Sequence, residues 1–291
     1  MITIGGLVFT LVCVFGSFTL AGGSVIAVAK GLPFELLTIG GAATGSFVMA
    51  NSMHVVMATL RGLKRAMGGT RYKEDEYVDL LSLLYRLIRL LHSKGNIAIE
   101  RHIESPEESA IFNEHVNILR NKEVVPIICD YLRMIGMDAD DPHQVEDVMA
   151  RELKKTLGEK MLPVQALRTV ADGLPALGII AAVLGVINTM THINEPPMIL
   201  GGMIGGALVG TFLGVLLAYC LVGPMADRLK QVIEEDSRYL EVIRATVVSH
   251  LHGNPPQVSI ETGRKMVPNE FMPTFLSLEA TLEQARAVVQ S

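Results

Sequence analysis

The chain has 291 residues, 49% of them hydrophobic, with no tryptophan, a formal net charge of −5 and a mean hydropathy of +0.38. Apolar runs of the length seen here exclude an ordinary soluble domain, and no basic stretch invites a nucleic acid. Cys13, Cys129 and Cys220 stand far apart with no CxxC and no metal-ligand spacing, so they read as buried packing residues.

Residues 1 to 29 carry no charged side chain. The run lacks a basic leader and is longer than the apolar part of a signal peptide, so it predicts a first span over about 2–21. A short link containing Lys30 and Pro33 follows. Leu36 to Leu60 is again free of charge and rich in small residues (GGAATGS, MANS), which predicts a second span over about 35–55 facing other helices. From Arg61 the apolar residues become periodic. Leu80, Leu84, Leu87 and Leu91 recur at spacings of three and four, as on one face of an amphipathic helix. ESAIFNEHVNILRN and VVPIICDYLRMIGM predict further helices. Asp140 or Asp141, followed by Pro142, predicts the start of another.

A second membrane hairpin comes next. No Asp, Glu, Lys or Arg lies between Gly173 and Asn194, nor from Pro196 to Ala226, and each run exceeds the roughly 20 apolar residues that cross a bilayer core. Spans are predicted over about 172–191 and 199–223. The expected organisation is therefore a membrane hairpin over 1–60, a cytoplasmic helical loop over 61–170, a second hairpin over 171–224 and a cytoplasmic tail over 225–291. The fold class is all-α: a polytopic membrane protein with four transmembrane helices and a helical cytoplasmic domain.

Orientation follows from the basic residues. Of 25 lysines and arginines, 17 lie between Arg61 and Arg168 and seven after Pro224. The first link has Lys30 alone and the hairpin turn has none. Both termini and the large loop are thus placed on the cytoplasmic side.

No acidic side chain lies in the middle of any predicted span; Glu35 and Asp172 sit at span edges. A proton or cation relay needs a titratable group at membrane depth, so a partner must supply it. Glycine is what the hairpin has instead. Gly202, Gly206, Gly210 and Gly214 repeat every four residues along one helix face, which suits close packing either within one subunit or against another chain. Read locally, Pro175 and Pro224 are helix-boundary prolines, and Thr211 is a threonine able to bond back to its own helix. The pair His250 and His252 has no third ligand near it in sequence. No Ser/His/Asp or Cys/His pattern is apparent, so neither an enzyme nor a cofactor is expected.

Three segments carry a resemblance. ALVGTFLGVL (Ala207–Leu216) followed by Pro224 resembles the signature segment of flagellar motor stator A subunits, the MotA type of the MotA/ExbB/TolQ family. DGLPALGIIAAVLGVI (Asp172–Ile187) is similar to their third membrane helix, and LLSLLYRLIRLLHSKGNIAIERHIESPEES to their rotor-contacting segment. The resemblance covers nearly the whole chain. It implies a subunit of the bacterial inner membrane, assembled as a pentameric ring in membrane lipid around a MotB-type single-span partner that carries the ion-binding aspartate. Ion flow would turn the ring and generate torque on the rotor protein FliG.

By position, the resemblance makes Pro175 and Pro224 coupling residues and places Thr211 and Tyr219 beside the ion path. It puts Glu100 at the rotor, with Arg89, His92 and Lys94 near the place where the family commonly has an arginine. Ala182 stands where sodium-driven relatives tend to have threonine. A methyl cannot ligate sodium, so proton drive is expected. The alternatives are an ExbB- or TolQ-like energiser of outer-membrane transport, which typically has three spans, and a conventional channel, which would carry its own polar pore groups.

Overall fold

Long charge-free runs must satisfy their backbone polar groups internally, and helices do so segment by segment. The computed structural model describes residues 2–69, 71–136 and 141–289, and among these residues every regular element is helical. Helix α1 (Ile2–Leu20) ends where Gly22 takes φ +84°. Gly22 N–H donates to Thr19 O and Gly23 N–H to Phe18 O, at 3.0 and 2.9 Å, which closes the helix. Helix α2 (Val25–Ala50) starts earlier than expected: the anticipated link around Lys30 and Pro33 is already helical. Proline inside a helix removes one backbone bond, a loss that 26 residues of continuous helix absorb. Ser52 then caps α3 (Met53–Gly68), its hydroxyl accepting from Val55 N–H at 3.5 Å.

Helices α4 (Glu74–Lys94), α5 (Asn96–Glu104), the short α6 (Ala110–Asn113) and α7 (Val116–Leu119), and α8 (Val124–Gly136) fill the polar region. Helix α9 (Pro142–Thr191) is 50 residues long, and α10 (Pro197–Leu216) has its prolines at the start. A π-helical turn, Leu217–Val222, leads into α11 (Gly223–Leu251), followed by α12 (Pro256–Met266) and α13 (Phe275–Val289). Of the two aspartates expected to start α9, Asp141 does so: its Oδ1 accepts from His143 N–H at 3.0 Å. Asp140 lies outside the described residues.

Contacts divide the chain into two compact units that interleave in sequence. One comprises 1–69 and 160–232, the other 70–159 and 233–291. The first unit holds the apolar helices. Among the described residues four helices are long and apolar enough to cross a membrane, with windows at Thr3–Leu20, Gly31–Ala50, and within Pro142–Thr191 and Pro197–Leu251. Its core is small: Ile39, Ala43, Leu174, Ala181, Leu213 and Ala218. Phe9, Phe34, Leu37, Ile180 and Leu208 face outward, as lipid-facing or partner-facing side chains do.

The second unit is an ordinary helical core. Helix α4 is at its centre and is buried from Leu80 to Ile88 on every side, not on one stripe alone. Arg86 is therefore buried, and it pairs with Glu114 at 2.6 Å. The tail belongs to this core, because Ile260, Val267, Leu278 and Leu282 join the cluster built on α4, α8 and α11. Gly263 lets α12 approach closely, since a β-carbon there would overlap Thr246 Oγ1 and come within 3.2 Å of Leu81.

Candidate functional site: a glycine seam and a π turn

Glycines in α9 and α10 produce a close antiparallel crossing. A β-carbon on Gly178 would stand 2.8 Å from Gly210 O and 3.1 Å from Gly214 Cα; one on Gly214 would stand 2.6 Å from Leu174 O. Seven residues further along α9, a β-carbon on Gly185 would meet the Ala207 β-carbon at 2.6 Å. Since backbone atoms cannot move aside as a side chain can, the seam admits only small residues. The glycine stripe of α10 is thus divided. Gly210 and Gly214 pack within the chain, whereas Gly202 and Gly206 have open space where their β-carbons would be.

Glu35, at the edge of its span in sequence, joins this seam. It lies within the apolar window Gly31–Ala50, and its Oε2 is 2.7 Å from where a Gly210 β-carbon would be. The Ala181 β-carbon and Ala182 N are 3.0 and 3.2 Å from the same point. The one carboxylate of α2 is therefore beside Ala182 and Gly210. An ionisable group inside an apolar span was the available signal; only the crossing of α2, α9 and α10 reveals its neighbours.

Neither proline interrupts its helical run, which corrects the local reading. Helix α9 runs straight through Pro175, and helical structure continues from Pro197 to Leu251 through Pro224. Proline lacks an N–H and its ring clashes with the carbonyl four residues back, which for Pro224 is Cys220. The π turn relieves this: Gly223 N–H donates to Ala218 O, five residues back. Tyr219, in the same turn, is 69% exposed. Thr211 is half-buried, and among the described residues its hydroxyl has no partner, unlike Thr189, which bonds back to Gly185 O at 2.9 Å. Below the seam Arg168 of α9 pairs with Asp227 of α11.

The residues expected to face a rotor lie in the second unit. His92, Lys94 and Glu100 are exposed around Gly95, whose φ of +76° separates α4 from α5. Arg89 differs: it is half-buried, and its Nη1 is fully enclosed without a hydrogen bond. Glu104 is engaged by Arg133 Nε at 2.9 Å. The charges of α4 and α5 are thus part structural, with His92, Lys94 and Glu100 exposed at the α4–α5 corner.

Nearby, His102 is buried. Its Nδ1 is 2.7 Å from Ser109 Oγ, and Arg101 Nε donates to its Nε2 at 3.2 Å. An acceptor role for Nε2 requires the neutral ring with its proton on Nδ1. Burial, and then the adjacent Arg101 charge, hold its pKa below the ordinary histidine value.

Four apolar helices, a backbone-tight seam and a proline-induced π turn define a multi-pass membrane protein built around close helix packing. Residues 4–95 match the family described as Motility protein A N-terminal, and residues 109–242 match the MotA/TolQ/ExbB proton channel family. The chain belongs to the MotA/TolQ/ExbB proton channel family, a family of channels and not of enzymes. It is 37% identical over 288 residues to Motility protein A of Escherichia coli (strain K12), covering 99% of this chain and 96% of that one. Its fold is shared with a chain of the C. jejuni MotAB structure, at TM-score 0.73 and 18% identity over 92% of this chain and 96% of that one. It is shared too with the flagellar MotAB stator complex from Bacillus subtilis, at TM-score 0.67 and 21% identity over 97% and 98%.

Proposed function

We propose that the chain is the A subunit of a flagellar motor stator, and that it converts ion flow across the bacterial inner membrane into torque on the rotor. The observation that carries this reading is the α9–α10 hairpin. It combines a backbone-tight glycine seam with a proline-driven π turn, yet neither of its helices has an acidic side chain at mid-span. A hairpin of this kind can pack and shift but cannot relay an ion unaided. The missing carboxylate comes from a MotB-type single-span partner, about which several copies assemble, as a pentamer in this reading. Both termini are cytoplasmic.

Each site residue then has a physical role. Thr211, with a free hydroxyl, and exposed Tyr219 face the partner helix. Ala182 offers no oxygen ligand, which favours protons over sodium. Pro175 and Pro224 have no N–H to donate within otherwise continuous helical runs, so bending concentrates there. Gly202 and Gly206, open in the single chain, receive a neighbouring helix. Glu100, Lys94 and His92 make weak, renewable contacts with FliG; exposed pairs are worth about 0–1 kcal/mol each, suiting contacts that must form and break. One charge crossing 100 mV releases about 2.3 kcal/mol, enough to bias small rigid steps between packed helices.

The decisive experiment is reconstitution in liposomes with and without a single-span partner bearing a membrane aspartate. Proton flux and motility that require both chains are expected. Flux through this chain alone would overturn the proposal, as would motility that stops on removal of sodium while the proton gradient is intact. In the same assay Glu100→Lys should abolish torque with membrane assembly unchanged.

A further inference from the structure

His252, and not His250, meets two possible ligand side chains from a segment more than a hundred residues away in the chain, His143 and Glu146. Helix α11 ends in a tight cap, with Gly253 at φ +85°, Gly253 N–H on His250 O at 2.8 Å and Asn254 N–H on Ser249 O at 3.3 Å. This cap fixes His252 at the last turn. Helix α9 begins opposite, pinned by the Asp141 cap and by Val145 and Met149, which are 4% and 0% exposed. His143 and Glu146, three residues apart, share one flank of that first turn.

The three side chains converge. His252 Nε2 is 3.1 Å from Glu146 Oε2, and one ligand atom each from His143, Glu146 and His252 lies within 4.8 Å of the others. The two imidazole rings are 4.9 Å apart. Metal–ligand bonds of about 2.0–2.2 Å set donor atoms roughly 3.3 Å apart around a tetrahedral ion. Side-chain rotation alone can bring these donors to that spacing, since both helix ends are already held.

The second layer is also in place. Glu146 Oε1 lies 3.7 Å from Arg244 Nη1, leaving Oε2 directed at His252. Arg244 is itself neutralised by Glu241, whose two carboxylate oxygens accept from Nε at 3.0 and 3.1 Å. The arginine therefore orients Glu146 without carrying an uncompensated positive charge to the site. Metal-ligating side chains are commonly held by such outer partners. The α11 carboxyl end adds a favourable dipole for a cation, against the opposing dipole at the α9 start.

We propose that His143, Glu146 and His252 form a binding site for a divalent transition metal of the zinc class. Two imidazoles and one carboxylate are the donor set that zinc, cobalt and nickel share, with the fourth position open to water. A bound ion ties the first turn of α9 to the last turn of α11 and braces the second unit. It is independent of the ion that the membrane part conducts.

The test uses the full-length chain in its membrane complex, purified with no polyhistidine tag and stripped with a chelator. Titration with Co(II), followed by its visible absorption, and with Zn(II) by calorimetry should give one ion per chain. His143→Ala and His252→Ala should each weaken binding at least tenfold, and Glu146→Gln likewise. His250→Ala, two residues from His252 and bonded instead to Asn254 O at 3.2 Å, should leave it unchanged. Zn(II) should raise the melting temperature of the parent complex and not that of the His252→Ala complex. No binding at one ion per chain, or binding unaffected by the His143 and His252 substitutions, would overturn the proposal. All three ligands are at least partly exposed, so their substitution leaves the fold intact.

Discussion

Glu35 lays its carboxylate against the bare backbone of Gly210, at the point where any other residue would begin its side chain. The hydrogen atom of a glycine on α10 is what lets the acid of α2 lie inside the helix packing. Gly210→Ala is expected to impair motility, because its methyl would stand 2.7 Å from Glu35 Oε2 and 3.0 Å from the Ala181 β-carbon. Glutamate is long and can swing aside, so Glu35→Ala should partly rescue Gly210→Ala. A double-mutant cycle on swimming speed checks this; strict additivity would mean that the two residues do not meet in the working complex.

The divided glycine stripe makes a second prediction. Gly214→Ala meets backbone on two sides, Leu174 O at 2.6 Å and Gly178 Cα at 2.9 Å, and should prevent the hairpin from packing. Gly202→Ala meets nothing within its own chain. Protein level and detergent-stable assembly, read by immunoblot and size-exclusion chromatography, should collapse for Gly214→Ala. For Gly202→Ala both should stay near normal, and any loss should be in motility. Equal loss of folded protein in both variants would contradict the division.

The tail is expected to be structural. Gly263→Ala would push a methyl into Thr246 Oγ1, which is held by its own bond to Val242 O at 2.8 Å. Overpacking of this kind costs about 1–3 kcal/mol. Thermal unfolding of the purified complex should show the loss, and Thr246→Ala in the same chain should recover part of it. A melting temperature unchanged by Gly263→Ala would show that α12 does not dock on α4 as described.

Acid should weaken the second unit through His102. Its folded pKa lies below the ordinary value of about 6.5, through burial first and Arg101 second. The unfolded chain then binds more protons as the pH falls. The stabilisation from this group is complete above about pH 6.5 and is lost as the pH drops toward the folded pKa. His250 is shifted the same way, by burial and by the neighbouring His92, against a hydrogen bond to Asn254 O. Melting temperatures measured between about pH 7.5 and 5.5 should decline, and more gently in His102→Gln. A rise in stability on acidification would overturn this account.

Composition and charge placement alone determined that the chain is an all-α membrane protein with four apolar spans. Such runs have no other way to satisfy their backbone, and the basic residues weight the loops. The leucines of α4 and the start of α9 at Asp140 or Asp141 were equally legible, being local patterns of three to four residues. Position by position, resemblance named the two prolines, Thr211 and the rotor-facing charges.

What only the tertiary structure decided is which distant residues meet. Pro175 and Pro224 read locally as boundaries because a proline at a helix end and one inside it look alike in sequence; the π turn at Leu217–Val222 forms only when the helix continues. Helix α4 looks one-faced in sequence because its leucines recur every three or four residues, whereas α8, α11 and α12 enclose it and bury Arg86 as well. Gly210 with Glu35, and His252 with His143 and Glu146, are separated by far more than a helical turn. No periodicity carries such pairings. They are set by where close-packed helices cross.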